Sequence, residues 1–379
     1  MNFEFDSAQR QLGEEARRFL VSRSPSADVR CVLEGEQPYQ TELWRELGEM
    51  GFTGAAIAEE YGGSGFGYLE LCVLAQEIGR AMAAVPFSST VYLFAELIKA
   101  AGTEAQKQAW LPRVAGAGLI GTVAWAEGPG AFTPECVTTV AIGGHLNGSK
   151  TPVLDGSIAG AAIVIAREHD DPAELSLFLV ELASSGVSRT ALESIDPTRG
   201  LAALTFDHVP AERLGARGAG LSLLADVFDR AAVLVAFEQI GGAERALEMA
   251  CEFSRMRFAF GRAIGSFQAL KHLMADMYVS TVLARANAYY GAWALSANAS
   301  VLPEAAAFAR VAATQSYQQC AKDNIQVHGG MGFTWEADCH LHYRRSNLLA
   351  LMLGGASEWE GKLIAKLRAE PASVEKIPA

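Results

Sequence analysis

A few residues in this sequence have types and spacings that could do chemistry. Arg257 carries a permanently charged, forked guanidinium that suits a pyrophosphate. Gln268 can offer both a donor and an acceptor to an adenine or ribose edge. Gly329 and Gly330 would let backbone N–H groups approach a phosphate closely. Taken singly, each has an ordinary reading too: a surface salt bridge for Arg257, a helix-ending turn for the glycine pair. His328, beside those glycines, reads as part of the same turn. His340 and His342 could share a metal on a strand, but on a helix they would diverge and no third ligand is near. The six cysteines are scattered without CxxC or Cys/His spacing, so a structural zinc is not expected and reduced thiols are.

The elements that must position these residues follow from the patterning. At 379 residues, the chain is long enough for two or three domains. Half the residues are apolar and 20% are charged, which excludes disorder and permits a large core. Residues 1–118 read as helical. Asp6 and Gln9 form a capping box, Leu12, Ala16, Phe19 and Leu20 a stripe, and Thr41 a cap for the next helix. Residues 119–215 read as short strands, with a turn at His145–Gly148. Residues 216–379 return to long helices, with stripes through Val233, Phe237 and Ile240 and through Met277, Thr281 and Ala284. The expected fold is therefore α+β and multi-domain: an N-terminal helical domain, a middle β-barrel and a C-terminal four-helix bundle. Net charge is 31 − 43 = −12 without basic clusters, so neither nucleic acid nor an anionic membrane surface is an expected partner. No apolar run approaches a membrane span, and MNFEFD lacks a targeting pattern, so a cytoplasmic protein is expected.

Several words in this order resemble the acyl-CoA dehydrogenase family. They are Gly51-Phe52 through Gly62-Gly63, Gly102-Thr103-Glu104 with Trp110-Leu111-Pro112, Arg257-Phe258-Ala259-Phe260-Gly261, Phe267-Gln268 with His272, and Gln326-Val327-His328-Gly329-Gly330-Met331-Gly332. The resemblance implies FAD as cofactor and an acyl-CoA thioester as substrate, desaturated at Cα–Cβ, with a separate flavoprotein accepting the electrons. It also implies a homo- or heterotetramer. Arg257, Phe260, Gln268, Gln326, Gly329 and Gly330 would reach the ADP half of a flavin held mainly by a neighbouring subunit.

The departures from the family pattern carry as much information. Members commonly place a catalytic glutamate soon after a Tyr-Arg-Asp word; here Tyr343-Arg344-Arg345 leads to Leu353, or to Gly354 if the register slips by one. Neither can take a proton. Other members seat the base before an arginine on an earlier helix, which here is Asp229-Arg230; Asp229 is then the candidate base and Arg230 a candidate contact for CoA. The family's Thr-Glu-Pro word reads Ala126-Glu127-Gly128, and its Trp-Ile-Thr word after a lysine reads Pro152-Val153-Leu154 after Lys150-Thr151. The losses fall on the site this subunit would build around its own flavin; the residues reaching a partner's flavin are kept. That split implies the subunit of a heteromer that lacks the usual glutamate. The alternatives are an active homo-oligomer using Asp229, a flavin monooxygenase, and a flavin-free structural or acyl-CoA-binding protein. Arg344-Arg345 reads as an exposed pair or a contact for an acidic partner, and Trp335 and Asp338 as subunit contacts.

Overall fold

The computed structural model describes residues 5–171 and 173–369. The chain opens with six α-helices: α1 (Ser7–Arg23), α2 (Ser26–Leu33), α3 (Thr41–Glu49), α4 (Tyr68–Arg80), α5 (Ala95–Ala101) and α6 (Glu104–Ala115). The Asp6–Gln9 capping box forms as the sequence predicts, and a second one joins Thr103 to Gln106 ahead of α6. Thr41, in contrast, is the first residue of α3 rather than its cap. Gln40 holds the cap position, and its side-chain oxygen instead accepts the Ala84 backbone N–H at 2.8 Å. A π-helical stretch, Ser88–Phe94, leads into α5 and is buried throughout.

Eight strands follow: β1 (Gly121–Ala124), β2 (Val140–Ile142), β3 (His145–Leu154), β4 (Ala161–Glu168), β5 (Leu175–Glu181), β6 (Val187–Leu192), β7 (Leu201–Pro210) and β8 (Glu212–Leu214). They form one sheet in the order β6-β7-β3-β2-β4-β5-β8, with β1 parallel to β4. β4 and β5 are buried on both faces, hence their unbroken apolar sequence. At the far edge Arg189 of β6 donates to the carbonyls of Ala159 and Leu182, which folds that edge back toward the end of β5. His145–Gly148 is not a turn. It lies in β3, where the ladder shifts register between Leu146 and Gly148.

The chain then enters α7 (Gly220–Met256), crosses the short hairpin β9 (Phe258–Ala259) and β10 (Arg262–Ala263), and continues through α8 (Gln268–Ser296), α9 (Leu302–His328), α10 (Cys339–Leu351) and α11 (Ala356–Ala369). Short connections make α7, α8 and α9 antiparallel neighbours, with α10 and α11 packed on α9. α7 is the spine of the molecule, since every residue from Ala231 to Gly242 is buried. It meets α4 at close quarters: a Cβ on Gly241 would stand 1.8 Å from the Gln76 carbonyl oxygen, and one on Gly79 would stand 1.9 Å from that of Glu238.

Charged groups from all three regions meet around α7. Arg199 holds Asp155 at 2.8 Å and Arg345 holds Asp196 at 2.6 Å. Glu238 of α7 lies between the two arginines, at 4.0 and 3.7 Å. Arg345 is fully buried, so it is neither exposed nor free for an acidic partner; Arg344 donates to the Ile195 carbonyl at 2.9 Å. Within the chain, Trp335 donates to Glu34 at 3.0 Å and Asp338 pairs with Arg30 at 2.7 Å. No helix among the described residues is long and apolar enough to cross a membrane.

Candidate functional site

Two places gather the residues singled out by sequence. The first is a surface cleft of about 360 Å³ where α7 ends and α9 ends, lined by Phe253, Arg257, Val327, His328, Gly329 and Gly330. α9 stops there because Gly329 takes φ +59°, a conformation that favours glycine. A Cβ on Gly329 or Gly330 would meet nothing within 4 Å, so the open space belongs to the cleft and not to neighbouring side chains. Arg257 is exposed, and its guanidinium has no hydrogen bond among the described residues. His328 stacks on Phe253 with centroids 4.1 Å apart, and its Nδ1 pairs with the Asn324 carbonyl at 2.9 Å, so it is part of the wall.

A free cationic fork, glycine backbone and a flat aromatic wall fit the phosphates and adenine of a dinucleotide cofactor. Gln268 at the start of α8 and Gln326 in the last turn of α9 are exposed but lie outside the cleft lining. Phe260, at the tip of the β9–β10 hairpin, is 94% exposed, and Phe333 beyond the glycine turn is 84% exposed.

The second place is around Asp229 on α7. Its carboxylate is almost completely buried and accepts a hydrogen bond from Lys362 of α11. Burial pushes the Asp229 carboxyl above its usual range, against the opposing pull of the Lys362 ammonium. Arg230 donates to Asp226 and to Asn298, both at 2.9 Å, so its fork is engaged within the chain. Leu353 is buried in the turn before α11, at φ +64°, and its carbonyl accepts from the Trp359 indole at 3.1 Å. Nearby on the α4–α5 side, the Tyr68 hydroxyl donates to Glu96 at 2.7 Å, and Lys99 donates to the same carboxylate at 2.6 Å.

The β-domain words that depart from the family pattern also turn inward. Lys150 is fully buried and its ammonium donates to Glu127 at 2.6 Å. Burial alone would raise the Glu127 carboxyl, but the Lys150 and Thr138 hydrogen bonds hold it down to about 2. Burial pulls Lys150 down to about 8, with Glu127 resisting. The pair is therefore ionised at neutral pH, and it pins the segment 126–128 against β3, where Gly128 donates to the Thr151 carbonyl at 2.8 Å. Trp125, just before, packs edge-on against Phe228 of α7 at 5.0 Å.

Lys362, Glu96 and Lys99 were not among the residues the sequence singled out, and Lys150 stood there only as the lysine ahead of the Pro152 word. Lys362 lies 133 residues from its partner, and no local pattern marks it. His342 is buried on α10 and its Nδ1 pairs with the Tyr317 hydroxyl at 3.1 Å, a structural role. A larger cavity of about 520 Å³ opens between α1, α4, α7 and α10, but its Arg17, Arg80 and Arg245 are already paired with glutamates.

Comparison with known proteins shows the family and the fold. Residues 6–117 match the family model for the acyl-CoA dehydrogenase N-terminal domain, and residues 218–367 match that for the C-terminal domain. The chain is 32% identical to acyl-CoA dehydrogenase IpdE2 of Mycobacterium tuberculosis, over 92% of this chain and 94% of that protein. Among solved structures, the ChsE4-ChsE5 complex from Mycobacterium tuberculosis is 27% identical with a TM-score of 0.88, covering 98% of this chain and all (100%) of that one. The Tcur3481-Tcur3483 steroid ACAD is 30% identical with a TM-score of 0.85, covering 96% and 99%.

Proposed function

Because the chain belongs to the acyl-CoA dehydrogenase family, we propose that it is the subunit of a heteromeric acyl-CoA dehydrogenase that lacks the catalytic glutamate. One contrast carries this reading. The cleft of Arg257, Gly329 and Gly330 is open and its guanidinium is uncommitted, whereas both positions where a base would sit hold none that is free: Leu353 cannot accept a proton and Asp229 is tied to Lys362. The names of the relatives, a steroid ACAD and the two-component ChsE4-ChsE5 complex, support a homologous partner subunit and a bulky, steroid-derived acyl-CoA as substrate.

The family cofactor, FAD, supplies the two-electron acceptor for the hydrogen that leaves Cβ. In this reading Arg257 and the backbone N–H groups at Gly329 and Gly330 hold its pyrophosphate, and Gln268, Gln326 and Phe260 close over the adenosine end together with the partner. The partner provides the carboxylate that removes the α-proton. Arg230 would engage the CoA moiety only by giving up Asp226 or Asn298.

The experiment is to purify the chain alone and with its genomically adjacent homologue. The expected result is a colourless, inactive lone chain and a yellow, active co-purified complex whose turnover survives Asp229→Asn. A yellow and active lone chain that Asp229→Asn silences would establish the homo-oligomeric alternative instead.

A further inference from the structure

The two positions where a base would be sought, Asp229 and the Leu353 turn, are bridged by a single helix. α11 donates the Trp359 indole N–H to the Leu353 carbonyl at 3.1 Å. Three residues on, its Lys362 ammonium lies over the Trp359 ring, 5.0 Å from the centroid, and donates to Asp229. Trp359 is itself buried, so the lysine stem is fixed from below. The Asp229 side chain is 6% exposed and Lys362 is 33% exposed.

The other charges facing Asp229 reinforce this arrangement. Lys366 from α11 adds a second positive charge, and Asp226 from α7 is offset by Arg230. To take a proton from a carbon acid, Asp229 would have to release Lys362 and leave an unpaired charge in a nearly dry site.

We propose that Lys362 is an internal lock: it ties α11 to Asp229 of α7 and withdraws that carboxylate from proton transfer. This rests on the reading that the partner subunit carries the chemistry, and it explains how a carboxylate in the alternative base position stays silent. Lys362 acts here as a positioning residue, since it works through Asp229.

The test uses the co-purified heteromer and a water-soluble carbodiimide, which joins a touching amine and carboxylate with loss of water. Lys362 and Asp229 should appear as a crosslinked peptide by mass spectrometry, with the same yield in saturating octanoyl-CoA. In Lys362→Met, added glycinamide should label Asp229 roughly tenfold faster than in the wild type, the factor for ~1.4 kcal/mol of lost pairing. Lys362→Arg, which keeps the cation, should keep Asp229 protected. Suppression of the crosslink by octanoyl-CoA, or equal labelling of wild type and Lys362→Met, overturns the lock. If the lone chain is still inactive, either result leaves the subunit reading standing; turnover by the lone chain overturns that reading.

Discussion

Glu127 and Lys150 show how one buried ion pair can fix a segment of backbone. Glu127 accepts from Lys150 at 2.6 Å, from the Thr138 N–H at 2.7 Å and from the Thr139 N–H at 3.0 Å. Its carboxyl sits at about 2, below the ordinary 4.5. A depressed carboxyl stabilises the fold fully above its unfolded value and loses that contribution as pH falls through the folded one. The wild-type chain should therefore lose stability between about pH 4.5 and pH 2, read as the urea midpoint against pH. In Glu127→Gln the acid limb should be flatter. At neutral pH that variant should be weaker by about 3–5 kcal/mol, because Lys150 is then a buried charge without a counter-charge. A variant that keeps the wild-type acid limb would show that another carboxylate governs it. The sequence shows Glu127 and Lys150 as residue types, but their pairing joins β3 to the irregular segment that leads out of β1 and is a product of the fold.

The crossing of α4 and α7 makes the corresponding argument for whole elements. Gly79 and Gly241 each face the other helix's backbone at distances no Cβ tolerates, 1.9 and 1.8 Å. Gly241→Ala must push the helices apart along a spine that is buried all round, so it should destabilise by at least the usual 1–3 kcal/mol of overpacking, about the loss seen on adding methylenes to a packed core. The measurement is the denaturation midpoint. A midpoint within error of the wild type would mean that the crossing relaxes freely. Elements of this kind are largely legible in sequence: the stripes on α1, α7 and α8 have the helical period, and the β4 and β5 runs are continuous because both faces are covered. The misreadings have physical causes. Asn147-Gly148 looks like a turn, yet both residues stay in β3, where Gly148 pairs with Phe206, and the extra residue of the bulge lies opposite on β7, at Asp207-His208. Arg345 looks exposed, yet Asp196 and Thr198, almost 150 residues earlier, give it two partners in the core. Likewise the cleft residues Arg257, Gly329 and Gly330 are visible as words, while the pairing of Lys362 with Asp229 becomes visible only once α11 is packed on α9.

At the scale of the molecule, an acidic chain of net charge −12 leaves the Arg257 fork without a hydrogen bond among the described residues, near several exposed apolar side chains. Met256, Phe258, Phe260, Met331 and Phe333 all stand out from the hairpin and glycine turn around the cleft, and Tyr278, Val279, Val282 and Leu283 continue the exposed apolar surface along α8. In the proposed heteromer this exposed apolar surface is where the partner subunit should sit. Phe260 and Phe333 touch little of their own subunit, so replacing them with aspartate should leave the circular dichroism and the denaturation midpoint of the lone chain unchanged. Burying each ring at the contact is worth about 1.5–3 kcal/mol. Phe260→Asp with Phe333→Asp should therefore weaken association with the homologous subunit by roughly 3–6 kcal/mol, or about a hundred- to ten-thousandfold. The co-eluting complex should fall apart on gel filtration, and the flavin absorbance should fall with it, because Arg257 and the glycine turn no longer face the cofactor. A double variant that still co-elutes but has lost its colour would separate the two roles, making the rings part of the cofactor site and placing the subunit contact on α8.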